Sequence, residues 1–204
     1  WTPTKRWDAI DSEPMTDAAL VILIHQCLYQ GMFLVKNIAL RHKLGQPIRG
    51  YNPEASLAIS FFIGFIALSV WLAQTGSNWG RYPVLAENLA LSICLVLLGA
   101  NLLIGLASLR DLGDSWRVGV IEQEQTTLVE SGIYRFSRNP YFVAYLVMFM
   151  AYTILLQNLV LLVLTAAGFV LIHLMILREE KHLATMHRRD YRDYCRRVPR
   201  YLCR

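Results

Sequence analysis

Five apolar runs, each close to the length of a bilayer crossing, decide what this 204-residue chain can fold into. They cover residues 18–40, 55–73, 85–109, 141–156 and 159–177. A helix needs about 20 mostly apolar residues to cross the hydrocarbon core, and shorter ones are tolerated near the interface. Strands of a membrane barrel would alternate apolar and polar residues over about ten positions. These runs do not alternate. Hydrocarbon offers the backbone no hydrogen-bond partner, so helices remain. Composition agrees: 55% of the residues are hydrophobic and 17% charged, against roughly a half and a quarter in soluble domains. The expected fold is an all-α, polytopic membrane protein, one integrated domain with about five transmembrane helices.

The net charge of +5 is mostly a topological signal. Arg41, Lys43 and Arg49 follow the first run, and Arg110, Arg117, Arg135 and Arg138 follow the third. Nine more basic residues, from Arg178 to Arg204, follow the fifth. Only Lys5, Arg6 and Arg81 fall on the other side. The positive-inside rule then puts the N-terminus outside and the basic loops and tail in the cytoplasm. That holds for a bacterial inner membrane or an endoplasmic reticulum alike. No basic stripe is tied to a recognition module, so nucleic acid is not an expected partner. The tail suits anionic membrane lipids instead. Cys27, Cys94, Cys195 and Cys203 lack metal-ligand spacing, and neither a metal nor a disulfide is expected.

Only Gln157 and Asn158 separate the fourth and fifth runs, which forces a tight antiparallel hairpin. The hairpin brings Pro140 and Tyr141 to the same end as Arg178-Glu179-Glu180. The connection 110–139 is the longest and least apolar, the kind of loop that tends to be functional. Asn52 and Pro53 read as the N-cap and first position of the second helix. In the tail, Leu183, Met186, His187, Tyr191, Tyr194 and Val198 recur at helical spacing opposite an arginine-rich face. That is the pattern of an interfacial amphipathic helix.

No nucleophile elbow, phosphate loop or His-Glu-x-x-His motif occurs. His25 and His173 lie within spans, where packing against a neighbouring helix is the commoner role and catalysis the rarer one. Glu179 and Glu180 are more informative. Acids at a helix C-terminus oppose the macrodipole, so a bound cation or nearby arginines must favour them. In Arg138-Asn139-Pro140-Tyr141, Asn139 can cap the fourth helix and Pro140 can occupy its first turn. The same geometry aims free N–H groups at the hairpin tip, a seat for an anion. A glutamate pair facing an anion seat suits a zwitterionic ligand.

These residues resemble the isoprenylcysteine carboxyl methyltransferase and phospholipid methyltransferase superfamily of integral membrane enzymes. The likeness runs through Leu112-Gly113 with Trp116, then Leu128-Val129 with Gly132 and Tyr134, then Arg138-x-Pro140. It continues in Glu179-Glu180 with Leu183, Tyr191, Tyr194 and Pro199-Arg200. Two positions depart from the usual pattern: Asn139 stands where histidine is commonest, and His187-Arg188 replaces a Phe-Gly pair. The resemblance implies S-adenosylmethionine as methyl donor. Leu128, Val129, Gly132 and Tyr134 would wall its adenosine, and Arg138, Asn139, Pro140 and Tyr141 would hold it near its amino-acid portion. Glu179 or Glu180 would take its ammonium, and Arg178 would help to place the acceptor.

On this reading residues 110–204 bind the donor, while residues 1–109 supply three helices on the acceptor side. The acceptor is lipophilic: a prenylated cysteine carboxylate, a phospholipid amine, or a small lipophilic thiol or acid. A carboxylate needs no base, whereas an amine must lose a proton, for which a glutamate such as Glu180 or a tyrosine such as Tyr141 is the candidate. The alternatives are an NADPH-dependent reductase of the membrane sterol type and a non-catalytic membrane scaffold.

Overall fold

The computed structural model describes residues 15–45, 53–116 and 127–202. Five α-helices follow one another: α1 (Asp17–Leu44), α2 (Pro53–Thr75), α3 (Glu87–Leu112), α4 (Pro140–Leu156) and α5 (Leu159–Arg197). Short 3-10 turns sit at Gly113–Ser115 and Gly132–Arg135. Among the described residues four helices are long and apolar enough to cross a membrane, and α4 is a shorter apolar helix. At 17 residues it lies at the lower edge of a crossing. The protein is a multi-pass membrane protein built of helices. Asn52, Arg49, Arg117 and Cys203, named above, fall outside the described residues.

Local chemistry sets the helix ends. The Thr16 hydroxyl accepts from the Ala19 N–H at 3.2 Å and donates to the Ala73 carbonyl at 2.9 Å, so one side chain caps α1 and ties it to the end of α2. Gly45 closes α1 in the left-handed region. Pro140 takes the first position of α4, with Asn139 at the N-cap. The Asn139 side chain makes no cap bond, because its amide donates to the Arg200 carbonyl at 3.1 Å instead.

At the α4–α5 turn, Gln157 is left-handed, and its side-chain oxygen accepts from the N–H groups of Val84 and Leu85, both at 2.7 Å. Asn158 caps α5 through Val160 N–H and donates to the Trp79 carbonyl at 2.7 Å. The α2–α3 loop is thus stapled to the hairpin at the end remote from Arg138 and Arg178.

Inside the bundle a polar network links α1, α3 and α4. The Asn101 amide donates to the Ala144 carbonyl at 2.6 Å, which leaves its oxygen facing His25 Nε2 at 2.9 Å. Nε2 therefore carries the proton. Nδ1 then accepts from the Tyr152 hydroxyl at 2.7 Å, whose oxygen takes a hydrogen from Gln26 at 2.8 Å. His25 is a satisfied structural histidine. Interhelical bonds of this kind contribute about 0.6 kcal/mol each in membranes, so the network orients the helices more than it stabilises them.

The helix α5 continues well past its apolar run and kinks at Arg188, whose backbone has φ 41°. The kink turns the tail back over the hairpin tips. There Tyr191, Tyr194 and Val198 are buried against Leu128 and Leu183 within the protein, and the Tyr201 hydroxyl meets His173 Nδ1 at 2.8 Å. The apolar stripe of the tail is spent on the protein's own cap.

A left-handed arginine is strained, where glycine would not be. Arg188→Gly is expected to relieve roughly 1 kcal/mol net, after the added chain entropy of glycine. Thermal unfolding in detergent should then rise by about 2–4 °C. A lower midpoint would mean that the arginine side chain, not the backbone, sets the kink.

Candidate functional site

The tips of the hairpin meet around a carboxylate. Glu180, near the end of the apolar part of α5, accepts the Arg200 Nε–H, shared between its two oxygens at 3.1 Å each, and an Nη2–H at 2.7 Å. Arg138, two residues before α4, reaches the same carboxylate at 3.2 Å. The Arg138 and Glu180 side chains are only 11% and 12% exposed. Arg138 also touches the Cys195 sulfur, and its backbone N–H donates to the Pro199 carbonyl at 3.0 Å. The Arg200 carbonyl receives the Ser137 hydroxyl at 3.3 Å. One buried acid therefore gathers the start of α4, the body of α5 and the tail.

Its neighbour points elsewhere. Adjacent helical residues project about 100° apart, so Glu179 faces a cavity while Glu180 faces the tail. No hydrogen bond or ion pair holds the Glu179 carboxylate among the described residues, and Arg138 Nε is buried without a partner. The Arg138 charge is paired with Glu180, and only its Nε–H is left over, on the side chain that lines the cavity together with Glu179. Leu128, Val129, Tyr134, Asn139, Tyr141 and Arg178 line the same cavity. Burial raises the Tyr134 phenol above its ordinary range, with the Glu179 charge adding to the effect. The phenol therefore stays protonated near neutral pH and serves as a donor.

The loop that carries Leu128 to Tyr134 is held by a residue the sequence did not single out. Asp111, in the last turn of α3, accepts from the Ile133 N–H at 2.8 Å. Gly132 precedes it with φ +61°, and a Cβ there would lie 2.0 Å from the Asp111 carboxylate. Gly132 thus shapes the wall from behind. Tyr194 adds a second tether by donating to the Tyr134 carbonyl at 2.6 Å. Gly132, Pro140 and Glu180 are not among the cavity-lining residues, whereas the other sequence-derived site residues are.

The cavity measures about 1070 Å³ and does not stop at the charged cap. It continues past Phe33, Trp116 and Tyr145 into an apolar arm bounded by Leu57, Phe61 and Ile63 of α2 and by Gly168, Leu171 and Leu174 of α5. Leu57, Ile63 and Leu174 are about 60% exposed. The arm therefore opens to the outer surface between α2 and α5. Among the described residues no group of His, Cys, Asp or Glu is arranged to hold a metal.

The model of the phospholipid methyltransferase family matches residues 89–190, half of the chain. The chain belongs to that family. Family membership makes it a membrane methyltransferase of the class that acts on phospholipids. The match takes in α3, the loop with Asp111 and Gly132, the hairpin and the glutamate pair, and it ends before Tyr191. Searching the curated proteins gave no match. For this phospholipid methyltransferase-family chain, α1, α2 and the returning tail are thus read from the structure alone.

Gly132→Ala should destabilise the protein by roughly 1–3 kcal/mol, because the new methyl group must displace Asp111 and the backbone is left-handed. Amide exchange at Ile133 should accelerate markedly in the variant. Unchanged exchange there would show that the Asp111 contact does not hold the turn.

Proposed function

We propose that the chain is an S-adenosylmethionine-dependent methyltransferase that modifies the polar head of a membrane lipid. The observation that carries this reading is one cavity, lined at its cap by Glu179 and Arg138, that continues into an apolar arm opening toward lipid. Its volume exceeds the roughly 300–1000 Å³ of ordinary single-ligand sites, which suits two reactants side by side.

The residues at the cap fit the donor. Its amino-acid portion carries one ammonium and one carboxylate, and the cap offers one free carboxylate and one free guanidinium N–H. Glu179 accepts hydrogen bonds from the ammonium, and Arg138 donates to the carboxylate. Leu128 and Val129 supply an apolar wall, with Tyr134 as a hydrogen-bond donor beside it. When bound, S-adenosylmethionine supplies a methyl carbon on a positively charged sulfur, which departs as a neutral thioether.

The protein's own contribution is alignment and exclusion of water, and alignment alone is worth about 7–11 kcal/mol. The returning tail closes the cap, and the buried pair of Glu180 with Arg138 keeps the guanidinium aimed. Glu180 is a positioning residue in this reading. For an amine acceptor the ammonium proton must leave before the lone pair attacks; with Glu179 engaged by the donor's ammonium, the His182 imidazole is the lining group left to accept it, since Tyr141 is a protonated phenol. Arg178 stands at the cap where a lipid phosphate would pass. The basic loops support a cytoplasmic position for this end, where a water-soluble donor is at hand. Residues after position 110 build the donor end, while α2 shares the lipid arm with α4 and α5.

Calorimetric titration of the purified chain tests the reading. S-adenosylmethionine and S-adenosylhomocysteine should bind, and NADPH should not. Glu179→Gln should weaken donor binding about tenfold with little change in stability, because its carboxylate has no partner to lose. Glu180→Gln should lower the thermal midpoint as well, since two guanidinium groups lose their counter-charge. Equal donor affinity in parent and Glu179→Gln would remove the site assignment. NADPH binding alone would point to a reductase.

A further inference from the structure

We propose that Gln30, an amide halfway along α1, donates a hydrogen bond to an acyl ester carbonyl of the lipid acceptor and so fixes how deep that lipid sits in the arm. The proposal rests on the methyltransferase reading of the cavity. It adds the residue that reads the junction between the lipid's head and its tails.

Gln30 stands near the midpoint of α1 (Asp17–Leu44), inside the apolar run 18–40, yet it is exposed. Exposed neighbours on the same helix, Leu23, Leu28, Leu34 and Val35, are apolar. An amide at that depth meets no bulk water, and a polar group left unpaired in hydrocarbon is costly. Gln30 lines the cavity with Gln26, Phe33 and Asn37 of the same helix. Those positions recur at helical spacing, so one face of α1 turns toward the cavity.

Its neighbour fixes the orientation of the amide. Gln26 spends both of its N–H hydrogens, one on the Tyr152 hydroxyl at 2.8 Å and one on the Met148 sulfur at 3.2 Å. Its oxygen is left to accept, and it takes a Gln30 Nε2–H at 3.3 Å. Gln30 therefore keeps a second N–H that no protein group accepts among the described residues.

Depth decides which part of a lipid meets that N–H. Phe33 packs on Tyr141, in the first turn of α4, with ring centroids 5.0 Å apart. Gln30 precedes Phe33 by three residues, which places it about 5 Å deeper. A lipid whose phosphate passes Arg178 carries its ester carbonyls next, and its tails beyond them where Leu57, Ile63 and Leu174 line the arm. Gln30 stands between these two zones. An ester carbonyl is an acceptor without a donor, which matches the spare N–H. An ether linkage of the same length lacks that carbonyl and leaves the N–H unpaired.

The test uses the full chain in maltoside detergent, saturated with S-adenosylhomocysteine. Two short-chain phosphocholine lipids serve as probes, identical except that one is a diester and the other a diether. Their head takes no methyl group, so binding is read apart from turnover. Calorimetry should show the diester binding roughly three- to tenfold tighter, the worth of one hydrogen bond. Gln30→Met keeps the reach of the side chain and removes the amide, so it should erase that ratio by weakening the diester alone. Comparing the ratio between parent and variant in the same micelles cancels any difference in how the two lipids partition. S-adenosylhomocysteine affinity should not change in the variant, which also verifies folding. A merely structural role would weaken both lipids alike and leave their ratio intact. Equal affinity of the parent for the two lipids, binding of neither, or a ratio that survives Gln30→Met overturns the proposal. Failure of S-adenosylhomocysteine to bind the parent overturns the methyltransferase reading instead, while the lipid comparison, repeated without it, still decides the role of Gln30.

Discussion

The Glu180 carboxylate, pressed between Arg138 and Arg200, is the contact on which the cap half of this protein depends. A charge at the end of an apolar helix is costly to bury alone. Here the cost is offset by charge-assisted hydrogen bonds that approach the carboxylate from two directions. The consequence is geometric more than energetic. The start of α4, the body of α5 and the chain after the kink share one anchoring atom group, so the cap has a defined shape before any ligand arrives.

That anchoring frees the adjacent residue. Glu179 and Glu180 are neighbours, and burial together with the Glu180 charge still pushes the Glu179 carboxyl up to about 7. Because the helix rotates one of them toward the tail, two guanidinium groups are spent on Glu180 and none on Glu179. The arrangement supplies a cavity with one negative and one positive contact instead of a neutralised cluster. In the proposed function this asymmetry is what lets a zwitterion be held in one orientation.

The opposite end of the bundle is rigid for different reasons. Gln157 and Asn158 bind backbone groups of the α2–α3 loop, and the network of His25, Asn101, Tyr152 and Gln26 fixes the rotation of three helices. Fixed rotations matter because the packed aromatic cluster of Phe33, Phe62, Trp116, Tyr141 and Tyr145 draws on four separate segments. A small turn of α1 or α4 about its axis would part Phe33 from Tyr141. The lipid-facing gap between α2 and α5 is tolerated because the remaining helices are locked without it.

Sequence by itself determined the membrane class, the five helices, the two-residue hairpin and the meeting of Arg138 with the glutamate pair. Those follow from run length and from loops too short to allow anything else. It also marked the family, since α3 to α5 carry the matched segment. Only the tertiary structure decided which glutamate is free, because the two are neighbours and differ by rotation about one helix axis. It alone placed Asp111 behind Gly132, turned the amphipathic tail onto the protein's own cap, and made Asn139 bond the tail instead of its helix. The convergence of Phe33, Phe62, Trp116, Tyr141 and Tyr145 was hidden for the same reason. In a membrane helix almost every position is apolar, so hydrophobic periodicity says little about which face meets lipid and which meets a cavity.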